Sequence, residues 1–297
     1  MTPVGGDEFA ECVRRHLSHR ATRYVILAGT LALLLIPNTI LSSLTALLLI
    51  VPLAVSGILV RDKSFAFWSI YVVSMMVYTR IRGVADSIGP GPFVEYPIWL
   101  DRALGLGTVP TIYLQRWYTP GSPHWWDYAG LATYLTHYFA VPATALILWR
   151  LRPSILPKFL LAVSIGLTAG ALIHLLAPTA PPWIAGQLGE LPIVFRPLID
   201  LLGGLAPGAY EFGSRIGGND VAAMPSMHVA AAAYVALAAN SGPRWIAILG
   251  SGYALLMTAT LVYFGEHYVI DAVAGLALAW TTWFGVGRLL PGIHSMS

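Results

Sequence analysis

The sequence predicts an all-α protein, a multi-pass transmembrane helical bundle, and three observations carry that prediction. Of 297 residues, 57% are hydrophobic and only 10% charged, against about 25% charged in soluble domains, and the mean hydropathy is +0.69. Eight apolar runs approach or exceed the roughly 20 residues that a helix needs to cross a bilayer: 22–37, 39–60, 64–82, 127–149, 155–177, 222–241, 244–264 and 267–288. The charges between those runs then alternate with a consistent bias.

Residues 1–21 form a basic N-terminus, "RRHLSHRATR", suited to anionic lipid at the inner leaflet. The first run is short and stops at Pro37-Asn38, which reads as the tip of a helical hairpin over 22–63. It resembles a signal-peptide core in length, but the charged stretch before it and the absence of a small-x-small site after it argue otherwise. With the N-terminus inside, the inner segments hold Arg14, Arg15, Arg20, Arg23, Arg61, Lys63, Arg150, Arg152, Lys158, Arg244 and Arg288. These are 11 basic residues against 4 acidic ones, and the outer segments keep 6 basic and 10 acidic residues. The positive-inside rule therefore places both termini, including the tail 289–297, in the cytoplasm. Two long segments, 83–126 and 178–221, fall outside. They are rich in Gly, Pro and Trp and read as ordered caps, with Trp117, Trp125, Trp126 and Trp183 as a headgroup-level aromatic belt. The lone cysteine, Cys12, excludes an internal disulfide framework and a thiolate metal site. The net charge is small, +3, and no nucleic-acid partner is expected.

The chemistry-bearing residues lie in "AAMPSMHVAAA" and "FGEHYVIDAVAG". From His228 the chain makes two crossings, turning at "NSGPR", so His267, 39 residues on, returns to the outer face. Asp271 is four residues further and shares a helix face with His267. Ionisable groups near membrane depth are functional hypotheses by default. A carboxylate beside a histidine fixes its tautomer and sharpens the opposite nitrogen as a base or nucleophile. Pro225 and Ser226 sit at a helix start, where free N–H groups attract an anion. Phosphoryl chemistry, with one histidine as nucleophile and one as acid and no metal, suits this set. For Ser226 an N-cap role and a phosphate contact remain equally open. His174 and His137 are expected to be structural, and Glu266 is left without a role.

"MPSMH" followed by "GEHYVIDAVAG" resembles the type 2 phosphatidic acid phosphatase superfamily, whose signatures are KxxxxxxRP, PSGH and SRxxxxxHxxxD. The motif variants, with "PTAPPW" and "YTRIRGVAD", look closest to the inositol phosphorylceramide synthase-like branch. The resemblance covers residues 64–288. It implies a six-helix phosphatase-type core behind the N-terminal hairpin, and a lipid phosphatase or phosphoryl-headgroup transferase at the plasma membrane. It makes His267 the nucleophile, Asp271 its orienting carboxylate, His228 the general acid and Ser226 a phosphate contact. No cofactor is implied; the partners are the bilayer and a lipid-linked phosphate, and the oligomeric state is left open.

Departures from the signatures bear on the phosphate cradle. Met227 replaces the glycine of PSGH, Thr260-Leu261 stands in place of Ser-Arg, and Gly189 replaces the lysine seven positions before Arg196-Pro197. The cations that remain on the outer face are Arg196, Arg82 and Arg215, with the first two favoured by their family-like surroundings. Two other classes compete. A metal-dependent hydrolase would use His228, His267, Asp271 and His174 as zinc ligands, and a non-catalytic lipid-binding protein would keep only the fold.

Overall fold

A computed structural model describes residues 64–88, 90–205 and 220–289. The expected N-terminal hairpin, both termini and Arg215 lie outside the described residues. Within them the protein is helical, and the only extended pairing is a set of isolated bridges. In chain order the elements are α1 (Phe65–Ile88), α2 (Glu95–Leu104), α3 (Pro110–Leu114) with a 3-10 turn at Gln115–Trp117, α4 (Trp125–Leu151) and α5 (Leu156–Leu176). They continue with α6 (Pro182–Gln187), α7 (Pro197–Leu205), α8 (Met227–Ala239), α9 (Arg244–Tyr263) and α10 (Val269–Leu289). The helices α4, α5, α9 and α10 are long and apolar enough to cross a membrane, and α1 and α8 carry shorter apolar stretches. Each of the six apolar runs expected after residue 63 is a helix, so the all-α membrane bundle stands.

Helix α8 is the axis of the bundle. Its sequence, MHVAAAAYVALAA, is apolar on every side and built from alanine, and it packs against α4, α5, α9 and α10. Small side chains let several backbones approach one helix at once. Around it, α1 lies against α5, and α10 closes against α5 and α8. Trp68, Tyr71, Phe159, Leu160 and Tyr234 fill the interior at the end away from the histidines. There the Tyr234 hydroxyl is 2.6 Å from the Thr282 hydroxyl, so its polar tip is satisfied.

The run expected as a span from residue 222 begins as a helix only at Met227. Ahead of it the chain is tied into an extended crossing at the site end. The Thr179 N–H donates to the Val221 carbonyl at 2.7 Å, the Ala223 N–H to the Thr179 carbonyl at 3.1 Å, and the Ala180 N–H to the Phe93 carbonyl at 3.0 Å. The prolines of "APTAPP" hold this stretch extended, because a residue before proline is steered out of the helical region. At 13 residues, α8 is therefore about 20 Å long, shorter than its neighbours, and its start is recessed between them.

Two glycines set the packing around that start. A Cβ on Gly275 of α10 would clash with the Ser226 carbonyl oxygen, so only glycine lets α10 approach the first turn of α8 this closely. Gly265, with φ of 71°, makes the left-handed turn that ends α9 and delivers Glu266 and His267. The side chain of Gln115 braces that turn: its Nε2 donates to the Phe195 and Tyr263 carbonyls, each at 2.9 Å, and its Oε1 accepts from the Phe195 N–H at 2.9 Å.

Candidate active site

His228 stands on the first turn of α8, and His267 lies two residues before α10. Their facing nitrogens, Nδ1 of His228 and Nε2 of His267, are 3.3 Å apart. On its other side His267 turns Nδ1 toward the Asp271 Oδ2 at 3.5 Å. That is long for a hydrogen bond, as resting catalytic pairs often are before the imidazole becomes charged. Asp271 is fully buried and its Oδ2 also accepts from the Tyr268 N–H at 2.8 Å. A carboxylate only accepts, so it keeps the His267 proton on Nδ1 and leaves a lone pair on Nε2. His228 then donates to that lone pair from Nδ1. The two crossings read from the sequence do bring these three residues together.

Ser226 is wholly buried at the N-cap of α8, its Oγ accepting from the Val229 N–H at 3.4 Å, while its own N–H donates to the Asp271 carbonyl at 2.9 Å. The capping reading is therefore realised, and the backbone bond couples the start of α8 directly to α10.

Arg196 lies against the turn that carries His267. Its Nε and Nη2 donate to the two carboxylate oxygens of Glu266 at 3.1 and 3.2 Å, and its guanidinium sits 3.8 Å above the Trp183 ring. Trp183 is 7% exposed, so it supports an arginine and is not an exposed anchor, whereas Trp117 and Trp125 are 66% and 76% exposed. Glu266, left without a role in the sequence analysis above, is thus the carboxylate that orients Arg196. Arg82, on α1, is within electrostatic reach of His137, His174 and His228.

His174 is buried and its Nε2 donates to the Pro225 carbonyl at 3.0 Å, a structural bond that fixes the "MPS" turn. His137, expected to be structural, has its ring centroid 4.3 Å from that of His228 at 75°. Only a bundle geometry could show this, since His137 lies on a different helix with no motif around it.

Asp101, on α2, is the other residue that sequence reasoning missed. It is fully buried, and its Oδ1 accepts from the Ile270 N–H at 2.9 Å. Helix α10 starts after Tyr268, which has no side chain able to cap it, so Asp101 satisfies an orphan N–H from across the fold. Burial pushes the Asp101 carboxyl up to about 6, and the nearby Asp271 acts in the same direction against the backbone hydrogen bond. The folded protein thus holds this proton more tightly than the unfolded chain, where the value is about 3.8. Stability contributed by protonated Asp101 is complete below about pH 4 and declines as the pH rises through about 6. Asp101→Asn keeps the acceptor and cannot ionise, so its melting temperature should vary less than wild type between pH 4 and 7. Asp101→Ala loses the cap and should cost about 1–2 kcal/mol near pH 4, and less as the pH rises through about 6. Thermal unfolding in detergent across that range checks both, and an unchanged pH slope in Asp101→Asn would remove the assignment.

Among the described residues no three or more His, Cys, Asp or Glu side chains are grouped so as to hold a metal ion.

The model of the PAP2 superfamily, the type 2 phosphatidic acid phosphatases, matches residues 98–284, well over half of the chain. The chain belongs to the PAP2 superfamily. Its members' chemistry is phosphatase or phosphotransferase action on phosphate esters, and the match spans α2 to α10 with all of the residues His228, His267 and Asp271 inside it. No curated protein and no solved structure matches the chain significantly.

Proposed function

We propose that this PAP2 protein is a lipid phosphatase or phosphoryl-headgroup transferase that works through a phospho-histidine at the extracytoplasmic face of the cell membrane. The line Asp271–His267–His228, at 3.5 and 3.3 Å, carries this reading. The His267 Nε2 attacks phosphorus and forms a P–N bond; the P–O ester bond breaks, and its electron pair stays on the leaving oxygen, which takes a proton from His228. In the second half, water or an alcohol attacks the phospho-histidine, His228 accepts its proton, and His267 is released. Asp271 holds the imidazole in the reactive tautomer and stabilises its charge. Arg196, bound to Glu266 on the turn that carries His267, and Arg82, within electrostatic reach of His228, are the cations that neutralise the phosphate, with Arg215 a further candidate. The basic residues on the opposite loops support an outward-facing site with both termini inside. The domain plan proposed is a basic N-terminus, a hairpin over 22–63, the core over 64–288 and a cytoplasmic tail.

Water as acceptor makes a phosphatase, and a lipid or sugar alcohol makes a transferase. The "MPSMH" and "HYVID" variants favour the inositol phosphorylceramide synthase-like branch, hence transfer. The test uses wild type and His267→Ala in lipid nanodiscs, in chelator, with phosphatidic acid, an isoprenyl pyrophosphate and phosphatidylinositol. Free phosphate and new lipids are followed by mass spectrometry. Phosphate from wild type alone establishes hydrolysis, and a new phosphorylated lipid without phosphate establishes transfer. Equal turnover by the two proteins, or activity that requires added zinc, would overturn the phospho-histidine reading.

A further inference from the structure

We propose that His137 is a positioning residue of the reaction, the hydrogen-bond acceptor that supports the protonated form of His228. The inference rests on the phospho-histidine reading above and extends it to the acid side of the site.

The His137 tautomer is set by its own helix. Its Nδ1 lies 2.6 Å from the Tyr134 carbonyl oxygen, and a carbonyl can only accept, so Nδ1 carries the proton and Nε2 keeps a lone pair. The ring meets His228 edge to face, with centroids 4.3 Å apart, and Tyr134 packs on the same histidine at 5.2 Å. His137 thus brings a ring with one acceptor nitrogen against the residue that needs an acceptor.

The need comes from proton chemistry. As a general acid, His228 must be an imidazolium with two N–H groups, one for the leaving oxygen and one for a partner. His267 has such a partner in Asp271. At rest His228 gives its Nδ1 proton to His267 at 3.3 Å, but a bound phosphate removes that contact. An attack distance of about 3–3.5 Å, the P–O bond being broken, and a hydrogen bond of about 2.6–3.2 Å to the acid together require more than roughly 6 Å between the two nitrogens. His228 therefore turns away from His267 when substrate enters, and the ring beside it is His137. The other groups around the pair are Arg82 from α1, His174 from α5, Tyr134 and Tyr138 on α4 and His267 before α10. Of these, Arg82 has only donors, and His174, whose buried Nδ1 is also an acceptor without a partner, packs its ring on Tyr78, whereas the His137 ring lies against His228 itself.

Two substitutions separate this role from packing. An asparagine amide reproduces the Nδ1 donor but not the Nε2 acceptor, whereas a glutamine places its Oε1 near the Nε2 position. With phosphatidic acid, His137→Asn should slow phosphoenzyme formation about 10- to 100-fold, below the ~10²–10⁴ of a lost general acid, and His137→Gln should recover most of the rate. With 4-nitrophenyl phosphate, whose leaving group needs little protonation, His137→Asn should stay within about threefold of wild type. The alkaline limb of the pH–rate profile, which reports the acid's proton, should move to lower pH in His137→Asn. Equal losses on both substrates, no loss on either, or an unmoved alkaline limb would overturn the assignment. His267→Ala is run alongside: if it keeps wild-type turnover the phospho-histidine reading fails too, and if it is inactive the failure belongs to His137 alone.

Discussion

His267→Ala should lower turnover by about 10⁴- to 10⁶-fold on every substrate, the range seen when a nucleophile acting with its partners is removed. The size of the effect follows from how the residue is held. Its Nε2 carries a lone pair 3.3 Å from a second histidine, its Nδ1 faces a buried carboxylate, and the residue itself is 5% exposed. No other side chain on the Gly265 turn can take its place, because Glu266 is bound to Arg196. Asp271→Asn should be nearly as severe, about 10⁴-fold. An amide that turns its NH₂ toward Nδ1 favours the wrong tautomer and gives no stabilisation to the imidazolium. Rapid-quench trapping of the acid-labile phosphoenzyme reads both. A phosphoenzyme in His267→Ala at wild-type level would place the nucleophile elsewhere.

The second large effect is expected at Arg196. Its fork is shared with Glu266 through Nε and Nη2 and its plane rests on Trp183 at 3.8 Å, so the guanidinium is held rigidly next to His267, with the Nη1 edge left to face a phosphate. Preorganised cations of this kind are worth about 10²–10³ in rate. Arg196→Ala should therefore lower kcat/KM by about that factor. Arg196→Lys should recover little, because an ammonium can neither pair bidentately nor stack in the same plane. Glu266→Gln keeps one acceptor for the fork and should cost far less, mainly in KM. Steady-state kinetics on the substrate identified in nanodiscs decides the matter. Wild-type kinetics in Arg196→Ala would move the phosphate cradle to the Arg82 side.

Glu266 and His137 show why part of the site could not be read in advance. Both were visible as residues: one adjoined His267, the other sat mid-run in "YLTHYFAVP". Nothing local says what they touch, since the Arg196–Glu266 pair joins positions 70 residues apart and the His137–His228 contact joins two helices. Asp101 is a similar case, an acid on a cap helix that turns out to complete the first turn of α10. Trp183 errs the other way. A tryptophan near a span end is ordinarily an interface anchor, and here it is buried under a cation.

By itself the sequence determined that the chain is a bundle of membrane-crossing helices, because hydropathy is a local property summed over about 20 residues. It also determined that His228, His267 and Asp271 meet, because two crossings of fixed rise return the chain to the same end and four residues return it to the same helix face. Tertiary structure decided where α8 begins, through the Thr179 crossing and the close approach at Gly275. It likewise decided which carboxylate holds Arg196 and what completes the α10 N-terminus. Those outcomes depend on ångström-scale distances between segments far apart in the chain, and periodicity along one segment carries no record of them.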